Sequence, residues 1–192
     1  MEALFVTSNP NKAREAAEIL GIDLHSVTLD LPELQALDVA QVAVAKAAAA
    51  REALGAPDSP IFVEDSGLVV EAWNGLPGAL TKWFLQSVGN EGLLKMLSAY
   101  SDRSARAVCA VAIAAADGSV CTFTGEVEGS IAPEPRGSGG FGWDPIFVPS
   151  GHTKTYAELG ALKKNEDSHR AHAFEAAREA LRTGLGTSTP TG

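Results

Sequence analysis

The chain has 192 residues, 45% hydrophobic and 20% charged, and its 15 Lys and Arg against 24 Asp and Glu leave a formal net charge of −9. This suits one globular domain with a substantial core, or two small lobes, and argues against broad nucleic-acid binding, which needs a basic face, while leaving room for an anionic small molecule held by a local cluster of Lys and Arg. No apolar run approaches a membrane span, the N-terminus reads as a strand rather than a signal peptide, and two cysteines make no disulfide framework.

Ala3 to Thr7 is expected to form a first buried strand. It runs into Ser8-Asn9-Pro10-Asn11-Lys12, where Asn9 is a good N-cap and Pro10 a good first residue for a helix that reaches Leu20 and ends at Gly21. Thr7, Ser8, Asn9 and Lys12 cluster where a strand meets a helix N-terminus, a place where unsatisfied amides and the helix dipole can cradle phosphate. The same residues also describe an ordinary capped helix with an exposed Lys, and the glycines of a Walker loop are missing. Leu24 to Leu29 reads as a second strand, followed by the polar loop Asp30 to Gln35, in which Glu33 is either a surface acid or a ligand. Asp38 with Gln41 reads as a capping box for a helix from Val39 to Leu54. Lys46 lies among alanines and valines there, so it either snorkels to water or points inward toward an anion.

Ile61, Phe62 and Val63 form an apolar run that stops at two adjacent carboxylates, Glu64 and Asp65. Ser66-Gly67 reads as turn chemistry before Leu68 to Val70 resume the apolar pattern. Successive strand residues point to opposite faces, so one acid is expected to face a site and the other a partner or solvent. Carboxylates at the end of a buried strand are costly unless paired, hydrogen-bonded or bound to metal. Ala79 to Val88 and Asn90 to Ala99 read as two helices, the first carrying Lys82 with Trp83 and Phe84, whose rings are expected in the core. A hairpin about Asp117-Gly118 joins strands from Ala105 to Ala116 and Ser119 to Glu128. That register sets Cys121 opposite Ala114 and Cys109 on the other face, so the thiols stay reduced, as in a cytoplasm.

Pro133 to Pro149 is a Gly- and Pro-rich loop containing Phe141 and Trp143, which either stack on a nucleobase, a contact worth about 1–3 kcal/mol per base, or pack on the core. The last helix is expected from about Asp167 to Arg182, entered through Lys163 to Arg170, with Ala171, Phe174, Ala177, Ala180 and Leu181 as its buried stripe. His169 and Arg170 in its first turn oppose the dipole, a broken rule that hints at a site. Gly184 to Gly192 is rich in Gly, Thr and Ser and reads as a flexible tail.

Thr7 to Lys12, Glu33, Glu64-Asp65-Ser66, and Phe141 to Asp144 with Ser168-His169-Arg170 occur in this order, and together they resemble the inosine triphosphate pyrophosphatase family. The likeness extends from Thr7 to about Leu181. Phe141-Gly142-Trp143-Asp144-Pro145 and Ser168-His169-Arg170 are its specific parts. The resemblance implies an α/β domain over residues 1–183, with an elongated, mixed, twisted sheet flanked by helices, two lobes around a central cleft, and a homodimeric assembly. It implies that Thr7, Ser8, Asn9 and Lys12 form a phosphate loop and that Glu33 binds Mg²⁺. Asp65 becomes the catalytic carboxylate near the metal, with Ser66 beside the substrate. Lys46 and Lys82 reach the triphosphate or base region. Phe141, Gly142, Trp143 and Asp144 hold the base, and Lys164, His169 and Arg170 close on the purine. Ser8 replaces a common Gly, the acidic pair is Glu-Asp where many bacterial members have Asp-Asp, and Lys82-Trp83-Phe84 looks more like the eukaryotic branch.

The implied reaction cleaves the α–β phosphoanhydride of ITP, dITP or XTP to a nucleoside monophosphate and pyrophosphate, with Asp65 orienting or deprotonating the attacking water. Mg²⁺, with Mn²⁺ as a substitute, takes one or two carboxylates plus water and substrate phosphates, which suits Glu33 and Asp65. Arg170 can only donate hydrogen bonds, which matches the 6-oxo acceptor of hypoxanthine and xanthine and not the 6-amino donor of adenine. Two rival readings are a pyrophosphatase for modified or pyrimidine nucleotides and a non-catalytic nucleotide sensor; retention of both Glu33 and Asp65 speaks against the sensor.

Overall fold

The computed structural model describes residues 4–21 and 24–183. In chain order the elements are β1 (Leu4–Val6), α1 (Pro10–Leu20), β2 (His25–Val27), α2 (Val39–Ala53), β3 (Ile61–Val70), β4 (Pro77–Gly78), α3 (Thr81–Leu97), β5 (Ser104–Ala114), β6 (Val120–Ile131), β7 (Phe147–Pro149), α4 (Tyr156–Leu159), α5 (Ala161–Glu166) and α6 (His169–Thr183). One seven-stranded mixed sheet runs in the order β2-β1-β3-β5-β6-β7, with β4 paired to β3. β1 is parallel to β2 and β3, and the other pairings are antiparallel. Ala3 and the stretch Gly184 to Gly192, an expected strand start and an expected tail, lie outside the described residues.

β3 organises the molecule. It continues unbroken for 10 residues through Ser66-Gly67, where the sequence suggested a turn. The reason is steric: a Cβ at Gly67 would collide with the Gly78 carbonyl, so the glycine lets β4 cross closely rather than letting the chain turn. Phe62 belongs to a core cluster with α1 and α6, whereas Leu68 and Val70 on the same face belong to a second cluster with Leu93, Trp143 and Phe147. Glu64 and Ser66 fall in the gap between these cores. On the opposite face Ile61 and Val63 join a third cluster with α2, and Asp65 follows them. β1 pairs with residues 61–63 and β4 with residues 68–69, so among the described residues the stretch 64–67 has a strand neighbour only on its β5 side. The cleft opens at this gap.

Elsewhere the local chemistry decides. Asn9 caps α1 and Gly21 ends it in the left-handed conformation, as its sequence requires. Asp38 caps α2 by accepting from the Ala40 amide alone; the reciprocal Gln41 arm of a capping box is not formed. α3 is one element broken by non-helical backbone at Gly89, which accounts for the two helices read there. Trp83 is 51% exposed, not in the core as expected, and lies beside Lys82, with Nζ 4.9 Å from the ring centroid. The β5–β6 loop is longer than a two-residue turn, because Asp117 Oδ1 accepts from both the Ser119 amide and hydroxyl. The register therefore shifts by one, and Cys121 stands opposite Ile113. Cys109 and Cys121 thus share a face, contrary to expectation, but a four-residue offset separates them by roughly 13 Å, beyond the reach of a disulfide. α6 begins at His169, and Lys163 to Glu166 belong to α5. Its buried stripe is Ala171, Ala173, Phe174 and Ala177; Leu181 is exposed and Ala180 only half-buried.

Candidate active site

Every site position named from the sequence lines one cavity of about 490 Å³: Thr7, Ser8, Asn9, Lys12, Glu33, Lys46, Asp65, Ser66, Lys82, Phe141, Gly142, Trp143, Asp144, Lys164, His169 and Arg170. The residues reach it from six directions. The β1–α1 turn brings Thr7 to Lys12, the β2–α2 loop brings Glu33, α2 brings Lys46, the open stretch of β3 brings Glu64, Asp65 and Ser66, the start of α3 brings Lys82, and the β6–β7 loop with α5 and α6 brings the remainder.

At one end the acids meet two lysines. Lys46 points inward, and its Nζ lies 3.0 Å from Asp65 Oδ1 and 3.5 Å from Glu33 Oε1. Lys82 Nζ donates to both Glu33 oxygens at 3.2 and 3.3 Å. Glu33 and Asp65, distant along the chain, therefore converge on one ammonium group. Burial opposes ionisation of Glu33, but Lys46 and Lys82 outweigh it and leave the carboxyl below its ordinary value. Asp65 behaves oppositely: burial dominates and raises its carboxyl, despite Lys12 and Lys46. Asp65 Oδ2 is buried with no hydrogen-bond partner among the described residues. An orphaned buried carboxylate oxygen of this kind is costly unless a ligand completes it.

At the other end every charged group is paired. Arg170, 1% exposed, donates from Nε to Glu64 Oε2 at 2.9 Å and from Nη2 to Glu64 Oε1 at 3.0 Å, a bidentate fork. Its Nη1 donates to Glu15, and Nη2 also lies 3.4 Å from the Ser66 hydroxyl. Lys12 adds a second cation to Glu64 at 3.2 Å. Burial penalises the charge on Glu64, yet Arg170 and Lys12 outweigh it and hold the carboxyl far below the usual range. Lys164 joins Glu15 at 3.0 Å to Asp144 at 2.7 Å, and Asp144 also accepts from the Phe141 amide at 2.8 Å. Both acids of the β3 pair thus face the cavity's surroundings, from opposite sides of the strand. Ser168 accepts from the Ala171 amide and caps α6, and a Cβ at Gly125 would collide with the His169 and Ala173 backbone, so β6 lets the start of α6 lie directly on the sheet.

The two loop aromatics divide the alternatives between them. Trp143 is buried in the core, 5.1 Å from His169 and 5.6 Å from Phe147, while Phe141 is half-buried over Lys164 and Arg170, at 4.8 and 5.4 Å from its ring centroid. His169 lies between Trp143 and Tyr156, with neither ring nitrogen partnered among the described residues. Burial, then Arg170 and Lys164, push its pKa well below the ordinary value, so it is neutral. At the β1–α1 turn, Asn9 Oδ1 already accepts from the Asn11 and Lys12 amides, leaving fewer free donors for an anion than the sequence suggested. Glu15 is the residue the sequence reading missed: 2% exposed, it links Lys164 to Arg170. Its one signal was its position three residues after Lys12, on the same side of α1.

Among the described residues no helix is long and apolar enough to cross a membrane. The family model described as the Ham1 family matches residues 3–180. A dITP/XTP pyrophosphatase of Methanopyrus kandleri is 45% identical over 178 residues, covering 91% of this chain and 93% of that one. An inosine triphosphate pyrophosphatase of Yarrowia lipolytica is 46% identical over 179 residues, covering 91% and 93%. Among solved structures, the Staphylococcus aureus Ham1 protein superposes with a TM-score of 0.81 at 29% identity, covering 95% of this chain and 100% of that one. A match that spans nearly the whole sequence, with relatives from an archaeon and a yeast at similar identity, places this chain in the Ham1 family.

Proposed function

We infer that the protein is a nucleoside-triphosphate pyrophosphatase that removes nonstandard purine nucleotides (ITP, dITP, XTP) by cleaving the α–β phosphoanhydride to a nucleoside monophosphate and pyrophosphate. What carries the reading is the meeting of Glu33 and Asp65 at Lys46 in the same cavity as Phe141, His169 and Arg170. The donor set fits a hard divalent ion: two carboxylates, one with a buried unpartnered oxygen. No group of three or more His, Cys, Asp or Glu able to hold a metal occurs among the described residues, so Glu33 and Asp65 would share a Mg²⁺ or Mn²⁺ with substrate phosphates and water. When bound, the ion offsets negative charge on the phosphates.

The chain's own residues do the rest. Asp65, whose Oδ2 is unpartnered among the described residues in the lining of the cavity, is suited to orient the attacking water and take its proton. Lys46 and Lys82 draw the triphosphate toward the acids by charge and position, with Thr7, Ser8 and Lys12 at the other wall. Phe141 offers a ring face to the purine. Most donors of Arg170 are committed to Glu15 and Glu64, whereas the unpartnered ring nitrogens of His169 offer one donor and one acceptor beside it. The test is pyrophosphate release from ITP, XTP, ATP and the pyrimidine triphosphates, with Mg²⁺ and with EDTA. Preference for ITP and XTP, lost with EDTA, is expected. A pyrimidine preference would favour the related-hydrolase reading, and nucleotide binding without turnover in any metal would favour a sensor. A cytoplasmic homodimer belongs to the same reading and is checked by sedimentation and cell fractionation.

A further inference from the structure

Asn90 stands immediately after the break in α3, where Gly89 adopts φ 66° and ψ −176°. Here Asn90 Oδ1 is buried and accepts from no group among the described residues. The amide nitrogen donates to the Gly142 carbonyl at 2.9 Å. Exchanging the two amide atoms would set oxygen against oxygen, so the partner fixes the orientation. This hydrogen bond ties α3 to a loop 52 positions away in sequence, at a residue that lines the cavity.

Gly142 lies in the left-handed region at φ 62°, between Phe141 and Trp143. The loop is held from within by Asp144 Oδ2 on the Phe141 amide, and Trp143 is anchored in the core. Those contacts fix the two ends of a short segment and leave its Gly142 peptide to be set from outside. Asn90 supplies that restraint from the element whose first turn carries Lys82, so one helix touches both ends of the cavity. Resting on the function proposed above, we propose that Asn90 is a positioning residue: by holding the Gly142 carbonyl it sets the Phe141 ring at the distance and tilt that suit a bound purine. It touches neither the acids nor the scissile bond, so its effect falls on nucleotide affinity and not on the chemical step.

The test is a double-mutant cycle between Asn90→Ala and Phe141→Ala, read by KM and kcat for ITP and by equilibrium titration of a non-hydrolysable ITP analogue. Asn90→Ala is expected to raise KM and the analogue Kd about five-fold, the scale of one neutral hydrogen bond, with kcat changed less than about two-fold. Asn90→Asp keeps the shape, loses the donor and turns an anion toward a carbonyl, so it should match or exceed Asn90→Ala while leaving the thermal midpoint near that of the parent; it also serves if the alanine variant folds poorly. In the Phe141→Ala background both substitutions should lose most of their effect. Equal loss in both backgrounds, or a fall in kcat at unchanged KM, overturns the proposal. Analogue binding without pyrophosphate release in the parent protein would overturn the reaction and still test Asn90 through Kd; failure of the parent to bind any purine nucleotide would remove both.

Discussion

The two ends of the cavity are built on opposite principles. Around Glu64 and Glu15 the ionic groups are almost wholly buried, and each charge has a partner of the other sign. Around Glu33 and Asp65 they are partly solvated, the pairs are looser, and one carboxylate oxygen has nothing to bind. A saturated buried network holds its shape before any ligand arrives. An incomplete, half-solvated one is completed by what enters. The Glu64–Glu15 end is therefore a preformed scaffold, and the Glu33–Asp65 end is the one left incomplete.

Substitutions can break that contrast. Asp65→Asn should lower kcat for ITP by about 10³-fold, within the range for losing a positioned acid or base, with KM little changed; near-parental turnover in steady-state pyrophosphate release would remove Asp65 from the chemistry. Arg170→Ala should cost about 3–5 kcal/mol of folding stability, because it strands buried carboxylates. Chemical denaturation measures this, and a small loss would mean that the Glu64–Glu15 end is no scaffold. If that variant lost ITP turnover with an unchanged ITP/ATP ratio, a base-reading role for Arg170 would fail as well.

Acid provides a gentler probe. His169 is held neutral with its pKa depressed below 6.5, and Glu64 is held charged with its pKa depressed below 4.5. For both, the folded state binds fewer protons than the unfolded one, so their contribution is present above those ordinary values and is lost as pH falls through the folded values. The thermal midpoint should decline by a few degrees as pH drops below 6.5 and more steeply below 4.5, with the first segment flattened in His169→Gln. Lys82→Ala sets the lower bound: its side chain is 54% exposed, so denaturation should shift by less than about 1 kcal/mol, while KM for the triphosphate rises several-fold.

How much of this was legible in the sequence depends on the range of each signal. The β1–α1 junction was readable because Asn9, Pro10 and Gly21 act within one turn of themselves. Ser66-Gly67 misled because the reason for Gly67 lies in Gly78, brought across by tertiary packing. The β5–β6 register slipped because Asp117 tied up Ser119 and lengthened the loop. The short α4 carried its capping box, Thr155 with Glu158, in plain view and went unread. Glu15 could not be ranked above any other helical glutamate until α5 and α6 covered it with Lys164 and Arg170. The motifs assembled the cavity's lining; the pairing that makes one end rigid required the fold.

The missing neighbour along residues 64–67 gives β3 two regimes of amide hydrogen exchange within a single strand. Amides at 61–63, flanked by strands on both sides, should exchange with deuterium only through global opening. Those of 64–67 that face the gap should exchange from the native state, and a bound nucleotide analogue should slow them there, reporting occupancy of the cleft from the backbone itself without any turnover.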